Sequence, residues 1–351
     1  MKLYDYTGVI HFHSEHSWDG RVPIDDIIKA ARENEIDFLM LTDHSCQEAR
    51  KNGFEGWNED VLLVVGQEIS PRFNHYIAFG IDENIEVDEE GTIAPQGYID
   101  QVRVGEGIGF IAHPDHEGTK MFHVKHFPWV DWTVTGYTGL GIWDFMTDWQ
   151  SSLTGYPKAF LSYVFPAHFL HGPRQVTLDR WDRLNQTSKV VGIGELDNHD
   201  TPKKICGLNV SVFKFKKAFR FIRTHLLLDK PFEKDNVKDI NAIINALKRG
   251  RAFIALEYFK RAEGFLMYII DKNATATMGD EFILNDNAVL RIETPVQCKI
   301  RIVRDGNIFR EDIATKLEYT ISEKGIYRVE AYIRILCKYR PWIFSNPIYV
   351  L

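Results

Sequence analysis

Short apolar runs that recur along the first two thirds of the chain constrain its fold most strongly. They are rich in β-branched and aromatic residues, and they lie at 8–12, 37–41, 61–65, 76–79, 108–112 and 190–193. Runs of this kind are typical of strands that are buried on both faces. Segments with helical spacing of apolar residues accompany them, at 23–34, 177–185 and 237–249. The alternation predicts an α/β fold, either a barrel or a wound sheet.

Histidines and carboxylates stand at or near the ends of these runs. His11 and His13 are two residues apart at the end of the first run, so the period of a strand sends both side chains to one face. The other candidates of this kind are Asp19, His44, Glu68, His75, His113, Asp197 and His199. Since sites in parallel α/β folds are assembled where the strands end, we expect all nine to meet in one site.

Imidazole and carboxylate ligands suit Zn, Mn or Fe, and nine of them are enough for two or three divalent ions. None of the four cysteines belongs to the set, which argues against a structural thiolate site. A carboxylate that bridges two ions can hold a water whose pKa is lowered toward neutrality, so hydroxide forms without a serine or cysteine nucleophile. The sequence agrees, because it contains neither a Gly-x-Ser-x-Gly elbow nor a P-loop.

The order His-x-His, Ser-x-Asp-Gly, Thr-Asp-His, Gly-x-Glu-Ile, His, Ala-His-Pro and Asp-x-His resembles that of the PHP (polymerase and histidinol phosphatase) superfamily, over about residues 5–262. The resemblance implies a distorted (β/α)7 barrel, a cluster of up to three metals and, usually, phosphoester hydrolysis. Carried over position by position, it implies that the nine residues above are metal ligands and that Glu68 is the bridge. Segments 248–253, 327–330 and 341–349 also look like the branch named after carbaryl hydrolases, which is associated with carbamate or ester hydrolysis as well.

Three further residues are candidates for supporting roles. Glu195-Leu196 precedes Asp197, where the superfamily often has two small residues, so Glu195 is either a competing ligand or an outer acceptor. His116 is a candidate general acid or phosphate contact. Arg72 is a candidate for binding a substrate phosphate in a bidentate fork, with a structural ion pair as the alternative.

The pattern changes at about Gly264, where strand-like runs separated by turn residues begin. Asp305-Gly306 between two such runs indicates a hairpin. We therefore expect two domains, a metallohydrolase barrel over 1–263 and an all-β, immunoglobulin-like sandwich over 264–351.

The net charge and the hydropathy of the chain argue against nucleic acid and membranes as binding partners. A formal net charge of -7 argues against binding to long nucleic acid, which needs clustered Lys and Arg. The chain has neither a leader-like N-terminus nor an apolar run of about 20 residues, so we expect a cytoplasmic protein without a membrane role. The sequence leaves the oligomeric state open.

The function that we expect is hydrolysis of a small, phosphorylated molecule by a metal-bridging hydroxide. Hydrolysis of a carbamate, amide or carboxylic ester by the same centre is the alternative chemistry. A metal-binding module without catalysis, whose β domain mediates assembly, is the alternative of another class.

Overall fold

The computed structural model describes residues 2–88, 90–91, 93–120, 123–205, 208–272, 274–285 and 287–351. The strands, numbered in chain order, are β1 (Tyr4–Ile10), β2 (Phe38–Leu41), β3 (Gly56–Asn58), β4 (Val61–Ile69), β5 (Tyr76–Phe79), β6 (Ile108–Ile111), β7 (Gly139–Asp144), β8 (Val191–Glu195), β9 (Pro202–Ile205), β10 (Leu208–Ser211), β11 (Ile222–Leu228), β12 (Ala252–Leu256), β13 (Leu266–Ile270), β14 (Thr275–Thr277), β15 (Glu281–Phe282), β16 (Val289–Arg304), β17 (Asn307–Thr320), β18 (Gly325–Ile335), β19 (Lys338–Ser345) and β20 (Ile348–Val350). The α-helices within these ranges are α1 (Ile24–Arg32), α2 (Glu48–Lys51), α3 (Pro95–Val104), α4 (Phe145–Ser151), α5 (Tyr156–Val164), α6 (Gln175–Asn185), α7 (Phe215–Ala218) and α8 (Asn236–Arg249). None of the helices in the described part of the chain is long and apolar enough to cross a membrane.

A large mixed sheet and the helices around it make this an α/β protein, as the alternation of runs predicts. The pairings connect β11, β1, β2, β4, β5, β6, β7 and β8 in that order. The β1–β2, β2–β4, β6–β7 and β7–β8 pairs are parallel, whereas β5 and β11 run antiparallel to their neighbours. Beyond β8, Leu196 N donates to Ile10 O at 3.1 Å and Asp197 N donates to His11 O at 2.7 Å. These two bonds bring the chain after β8 against the end of β1.

The antiparallel direction of β5 explains the position of His75. This histidine precedes its strand, whereas most of the other candidates follow theirs. Because β5 runs opposite to β4 and β6, its first residue lies at the edge where β4 and β6 end. His75 therefore comes to the same edge of the sheet as Glu68 and His113.

The strands after residue 264 form mainly antiparallel pairs around β16 and β18, and they bury an apolar cluster that includes Trp342 and Tyr327. The predicted hairpin is confirmed, because Asp305 (φ 50°) and Gly306 (φ 79°) both adopt the positive φ of a type I′ turn between β16 and β17. Strand β19 also pairs with β12, so these strands continue the pairing of the first part of the chain. The sandwich and the boundary at 263/264 stay predictions.

A buried charged network lies between β1, β11 and the end of β12. His225 is fully buried, with Nδ1 2.8 Å from Asp5 Oδ1 and Nε2 3.2 Å from Glu257 Oε1. Arg223 lies 3.4 Å from the other oxygen of Glu257. Burial by itself lowers the pKa of His225, but the carboxylates of Asp5 and Glu257 outweigh it and raise the pKa to about 9. The imidazolium therefore links two carboxylates at neutral pH.

This network predicts that stability falls at alkaline pH. The folded pKa of about 9 lies above the ordinary value of 6.5, so His225 stabilises the folded chain by about 3 kcal/mol below pH 6.5. The contribution is lost as the pH rises through the folded value. Urea unfolding at pH 6.5 and pH 9.5 should therefore show a larger fall in the wild type than in His225→Gln, by about 3 kcal/mol. Equal falls in the two proteins would contradict the proposed role of His225.

Candidate metal centre

Several candidate residues adopt backbone conformations that are uncommon for residues other than glycine. His11 (φ 66°), His113 (φ 27°) and Asp197 (φ 48°) all have positive φ. Each of the three follows the last residue of a strand or lies two residues beyond it. Such strain persists only where the surrounding structure enforces it, and it concentrates at functional sites. Here it turns the chain sharply at one edge of the sheet.

Glu68 is the centre of the cluster. Its side chain is 1% exposed, and it is the penultimate residue of the long strand β4, just before Ile69. Five imidazole nitrogens surround its two oxygens: Nε2 of His11 (3.4 Å), Nε2 of His13 (3.4 Å) and Nδ1 of His44 (3.1 Å) at Oε2, and Nδ1 of His75 (2.7 Å) and Nε2 of His113 (3.4 Å) at Oε1. Both oxygens of this one carboxylate are thus within reach of imidazole nitrogens.

The group at Oε2 also includes Asp197, whose Oδ1 lies 3.6 Å from His11 Nε2 and 3.5 Å from His13 Nε2. These separations are longer than normal hydrogen bonds. They match the distance of about 3.4 Å between two ligand atoms that bind one tetrahedral ion at about 2.0–2.1 Å. His11 Nε2, His13 Nε2 and Glu68 Oε2 are buried and have no hydrogen-bond partner among the described residues. The group therefore fits a divalent cation.

A more exposed group lies beside the first. Asp19 Oδ2 is 3.0 Å from His199 Nε2 and 3.4 Å from His44 Nε2. Together with His13 these residues offer four ligand atoms, all within 4.8 Å of one another. The side chains of Asp19 and His199 are 26% and 22% exposed, so this end of the cluster opens to solvent.

The structure thus brings the predicted residues together. Within the described part of the chain, three groups could hold an ion: His13, Asp19, His44 and His199; His11, His13 and Asp197; and His11, Glu68 and His113. His75 belongs to none of these groups, but its Nδ1 contacts Glu68 Oε1 directly. Whether the nine residues bind metal stays a prediction.

The charges within the cluster are strongly coupled. Burial opposes ionisation of Glu68 and Asp197, but the surrounding imidazoles outweigh it and hold the pKa of each carboxylate well below its usual range. Burial also disfavours the charged form of His113, yet Glu68 and Asp197 raise its pKa to about 9. His13 shows the opposite result, because burial and the neighbouring His199 and His44 lower its pKa to about 3. The carboxylates are therefore ionised and His13 is neutral, whereas His113 is protonated at neutral pH in the metal-free chain and would lose that proton when it binds an ion.

Glu195 lies behind the cluster and holds two of its members. Its Oε1 is 3.0 Å from His11 Nδ1, and its Oε2 accepts a hydrogen bond of 2.9 Å from the backbone N–H of His113. A Cβ on Gly141 would lie 1.4 Å from Glu195 Oε2, so this glycine makes room for the carboxylate. Of the two roles that the sequence leaves open for Glu195, the contacts favour the outer acceptor. The contact to His11 leaves Nε2 of that ring free to face Glu68.

We expect Glu195→Gln to lower metal affinity by about 10- to 100-fold, the usual effect of losing a carboxylate behind a ligating histidine. Competition with a fluorescent chelator would measure the change. Gly141→Ala should have a similar effect, since its methyl group must displace the same carboxylate. Wild-type affinity in both variants would contradict this role for Glu195.

His116 lies beside the cluster, with its ring centroid 5.5 Å from that of His113. Its Nδ1 accepts a hydrogen bond from the backbone N–H of Phe127 at 3.1 Å, so the proton is on Nε2, which donates to Gln150 Oε1 at 3.0 Å. Burial lowers its pKa to about 4. The neutral ring therefore fastens the segment around Phe127, and its proposed role as a general acid stays a prediction.

Arg72 stacks on Phe73 and Phe127, at 4.3 and 5.3 Å from their ring centroids, and donates to the carbonyl of His126 at 2.6 Å. The structure shows neither a carboxylate partner for it among the described residues nor a contact with the candidate ligands. Phe127 in turn lies 5.1 Å from the ring of His75, so Arg72 is one aromatic residue away from the cluster.

Several residues that support the cluster are not evident from the sequence. Asp43 accepts hydrogen bonds from Ser14 N and Ser14 Oγ, both at 2.6 Å, and so fixes the chain just after His13. Ser70 Oγ lies 2.9 Å from His44 Nδ1. Asp144 is buried at the end of β7. Only Asp43 had a sequence signal, as the middle residue of Thr-Asp-His.

No protein family model matches the chain, and no curated protein matches it. Among solved structures, it is similar to an amidohydrolase from Chromobacterium violaceum, with 12% identity and a TM-score of 0.30 over 59% of this chain and 92% of the other. It is also similar to a protein described as a metal-dependent phosphoesterase from Bifidobacterium adolescentis, with 13% identity and a TM-score of 0.31 over 58% of this chain and 92% of the other. Since similarities this distant carry no argument, the function proposed below rests on the side chains.

Proposed function

We propose that this chain is a metal-dependent hydrolase that cleaves a small phosphoester. The observation that carries the proposal is the position of Glu68, each of whose two oxygens lies 2.7–3.4 Å from imidazole nitrogens. That arrangement suits a carboxylate shared between two ions. We also propose that the sheet closes as a barrel of the PHP type, for which the bonds from Leu196 and Asp197 to the end of β1 are the support.

The residues that would hold the ions fall into three sets. His11, His13 and Asp197 form the first; His11, Glu68 and His113 form the second; and His13, Asp19, His44 and His199 form the third. His75 would support the second set through its contact with Glu68 Oε1. Divalent ions bound there would supply electrophilic stabilisation and lower the pKa of water toward neutrality. The donor set of nitrogens and carboxylate oxygens suits Zn, Mn or Fe.

The charge balance of the site favours an anionic substrate. The three candidate carboxylates, Asp19, Glu68 and Asp197, carry three negative charges when ionised. The carboxylate of Glu195 behind the cluster adds a fourth, so three divalent ions would make the loaded site positive, whereas two would only balance it. A phosphoester carries negative charge and a carbamate or carboxylic ester does not, which is why we place phosphoester cleavage first.

The open end of the cluster gives the direction of substrate entry. His11 and Glu68 are almost completely buried, whereas Asp19 and His199 are partly exposed. Trp18 stands at this end with 73% exposure, and its ring stacks on His44 at 5.3 Å. We propose that the phosphoryl group enters past Trp18 and that the indole contacts the leaving group.

Metal analysis of the purified protein, followed by a small substrate panel, tests the proposal. The panel is p-nitrophenyl phosphate, bis-p-nitrophenyl phosphate, p-nitrophenyl acetate and 1-naphthyl carbamate, each with added Mn or Zn. Bound metal and turnover of a phosphate ester are the expected result. Turnover of only the acetate or carbamate would replace the phosphoester with the alternative chemistry. A protein that binds no metal would refute the proposal.

A further inference from the structure

A small cavity lies beside His113, and Glu68 is not part of its lining. Its volume is about 20 Å³, and its lining includes His113, Asp144 and Thr147. A cavity needs roughly 10–15 Å³ on this measure to hold one water molecule. The cavity is thus the size of a single water.

Three residues of its lining each have a buried side-chain atom without a hydrogen-bond partner among the described residues: His113 (Nδ1), Asp144 (Oδ2) and Thr147 (Oγ1). Leaving a buried polar atom unpaired costs about 1–3 kcal/mol. Three such atoms around one cavity of this size are therefore best explained by a shared partner.

Backbone contacts hold Asp144 in place beside the cavity. It ends β7 and pairs in parallel register with Glu195, the residue behind His11. Its Oδ1 accepts a hydrogen bond of 2.5 Å from the backbone N–H of Thr147 and so caps α4. That cap fixes the carboxylate and leaves Oδ2 for another donor.

His113 and Asp144 can offer a water molecule in the cavity one hydrogen-bond donor and one acceptor. His113 Nε2 faces Glu68 Oε1, so a metal on that side requires the proton to be on Nδ1. The backbone N–H of His113 is already bound to Glu195 and cannot serve the cavity. Nδ1–H is therefore the donor on this wall, and Asp144 Oδ2 is the acceptor.

We propose that Asp144 and Thr147 hold one water molecule that accepts the Nδ1 proton of His113 and donates to Asp144 Oδ2. Asp144 is thus a positioning residue for His113, as Glu195 is for His11. The inference rests on the proposed metal centre, because it explains how the ring of one proposed ligand is oriented. It assigns a role to a residue that the sequence motifs do not include.

The test uses three variants of the full chain and one control variant. Asp144→Asn keeps the shape and the α4 cap but turns Oδ2 into a donor, so it removes the acceptor of the water. Thr147→Val removes only the hydroxyl, and Thr147→Ser restores it. Asp179→Asn, on the exposed part of α6, is the matched control for loss of a carboxylate.

Two measurements separate this inference from the proposed function. Chelator competition with Mn²⁺ and Zn²⁺ should show one ion bound about 10- to 100-fold more weakly in Asp144→Asn. Thr147→Val should show a smaller loss in the same direction, whereas Thr147→Ser and Asp179→Asn bind as the wild type does. The melting temperature of the metal-free protein should change little in any of them.

The second measurement needs no metal. In metal-free, ¹⁵N-histidine-labelled protein, the Nδ1 proton of His113, assigned by its loss in His113→Gln, should exchange at least about 10-fold faster in Asp144→Asn. Unchanged exchange together with unchanged metal affinity would overturn the inference and leave the proposed function standing. Absence of metal binding in the wild type would instead overturn the proposed function, and the exchange rate alone would then decide whether Asp144 holds the water.

Discussion

Glu68→Gln is expected to lower kcat/KM for a phosphoester by about 10³-fold or more, which is the upper range for loss of one preorganised polar group in an active site. Glutamine has the shape of glutamate, but it replaces one oxygen by an amide nitrogen that cannot bind a cation. Because Glu68 contacts imidazoles through both oxygens, the change affects both groups at once. Metal content should therefore fall together with activity.

The control is Glu83→Gln, which makes the same substitution at an exposed position. It should retain full activity and metal content. A circular dichroism spectrum and a melting curve would establish that Glu68→Gln folds. A folded Glu68→Gln protein with wild-type metal content and turnover would exclude Glu68 as the bridge.

Asp182→Ala is expected to reduce the free energy of unfolding by about 3 kcal/mol, the lower end of the range for breaking a buried ion pair. Arg328 binds Asp182 in a bidentate pair, with Nε–Oδ1 2.6 Å and Nη2–Oδ2 2.7 Å, and its side chain is 3% exposed. Loss of the carboxylate leaves a guanidinium without its main partner. Glu330 still accepts from Nη1 at 2.8 Å, which keeps the cost at the lower end.

Asp60→Ala is the matched control, since its partner Arg32 is 41% exposed and Asp60 is 69% exposed. That substitution should cost no more than about 1 kcal/mol. A combined Asp182→Leu, Arg328→Met and Glu330→Gln variant, which removes the ion pair and the charge of the other carboxylate bound to Arg328, should recover much of the lost stability. Urea unfolding measures the loss in the free energy of unfolding for each variant. Equal losses in Asp60→Ala and Asp182→Ala would contradict the claim that burial makes the Asp182–Arg328 pair more important for stability.

The ion pair between Asp182 and Arg328 lies near contacts that hold the strand leading to Asp197. Asp182 lies on α6 next to Trp181, whose Nε1 donates to the carbonyl of Val190 at 2.7 Å. Asn346, which precedes β20, binds Gly192 N at 2.8 Å and Gly192 O at 2.9 Å. Both contacts hold β8, the strand that leads to Asp197. Stability in the C-terminal strands therefore supports the position of a proposed ligand.

The sequence predicts the α/β class because the buried strands are continuous apolar runs that periodicity detects. The run at 76–79 coincides with β5, and the helix at 237–249 with α8 to within one residue. Strands β7 and β11 were missed for different physical reasons. β7 begins Gly-Leu-Gly, which has low strand propensity. β11 carries Arg223 and His225, whose polarity is compensated by the buried charged network, and Thr224, whose hydroxyl bonds to the backbone of Gly194.

In the candidate site too, some features could be predicted from the sequence and others depend on tertiary contacts. The nine residues could be named because their types and their places at the ends of strands carry information. Glu195 could be named from the sequence only with two alternative roles, and Asp144 not at all, because their contacts are long-range: His11 and Glu195 are 184 residues apart. The positive φ of His11 and His113 was also hidden, because it is imposed by the neighbouring strands and not by residue type.

The pairing of β1 has a consequence for synthesis. All nine candidate ligands lie between residues 11 and 199. Yet β1, which leads to His11 and His13, is flanked on one side by β11, with Tyr4 opposite Leu228 and Gly8 opposite Thr224. A nascent chain that has left the ribosome only as far as residue 221 carries every ligand, but one edge of its first strand is still open. Metal capture with the full ligand set is therefore expected late in translation, after β11 has emerged and docked.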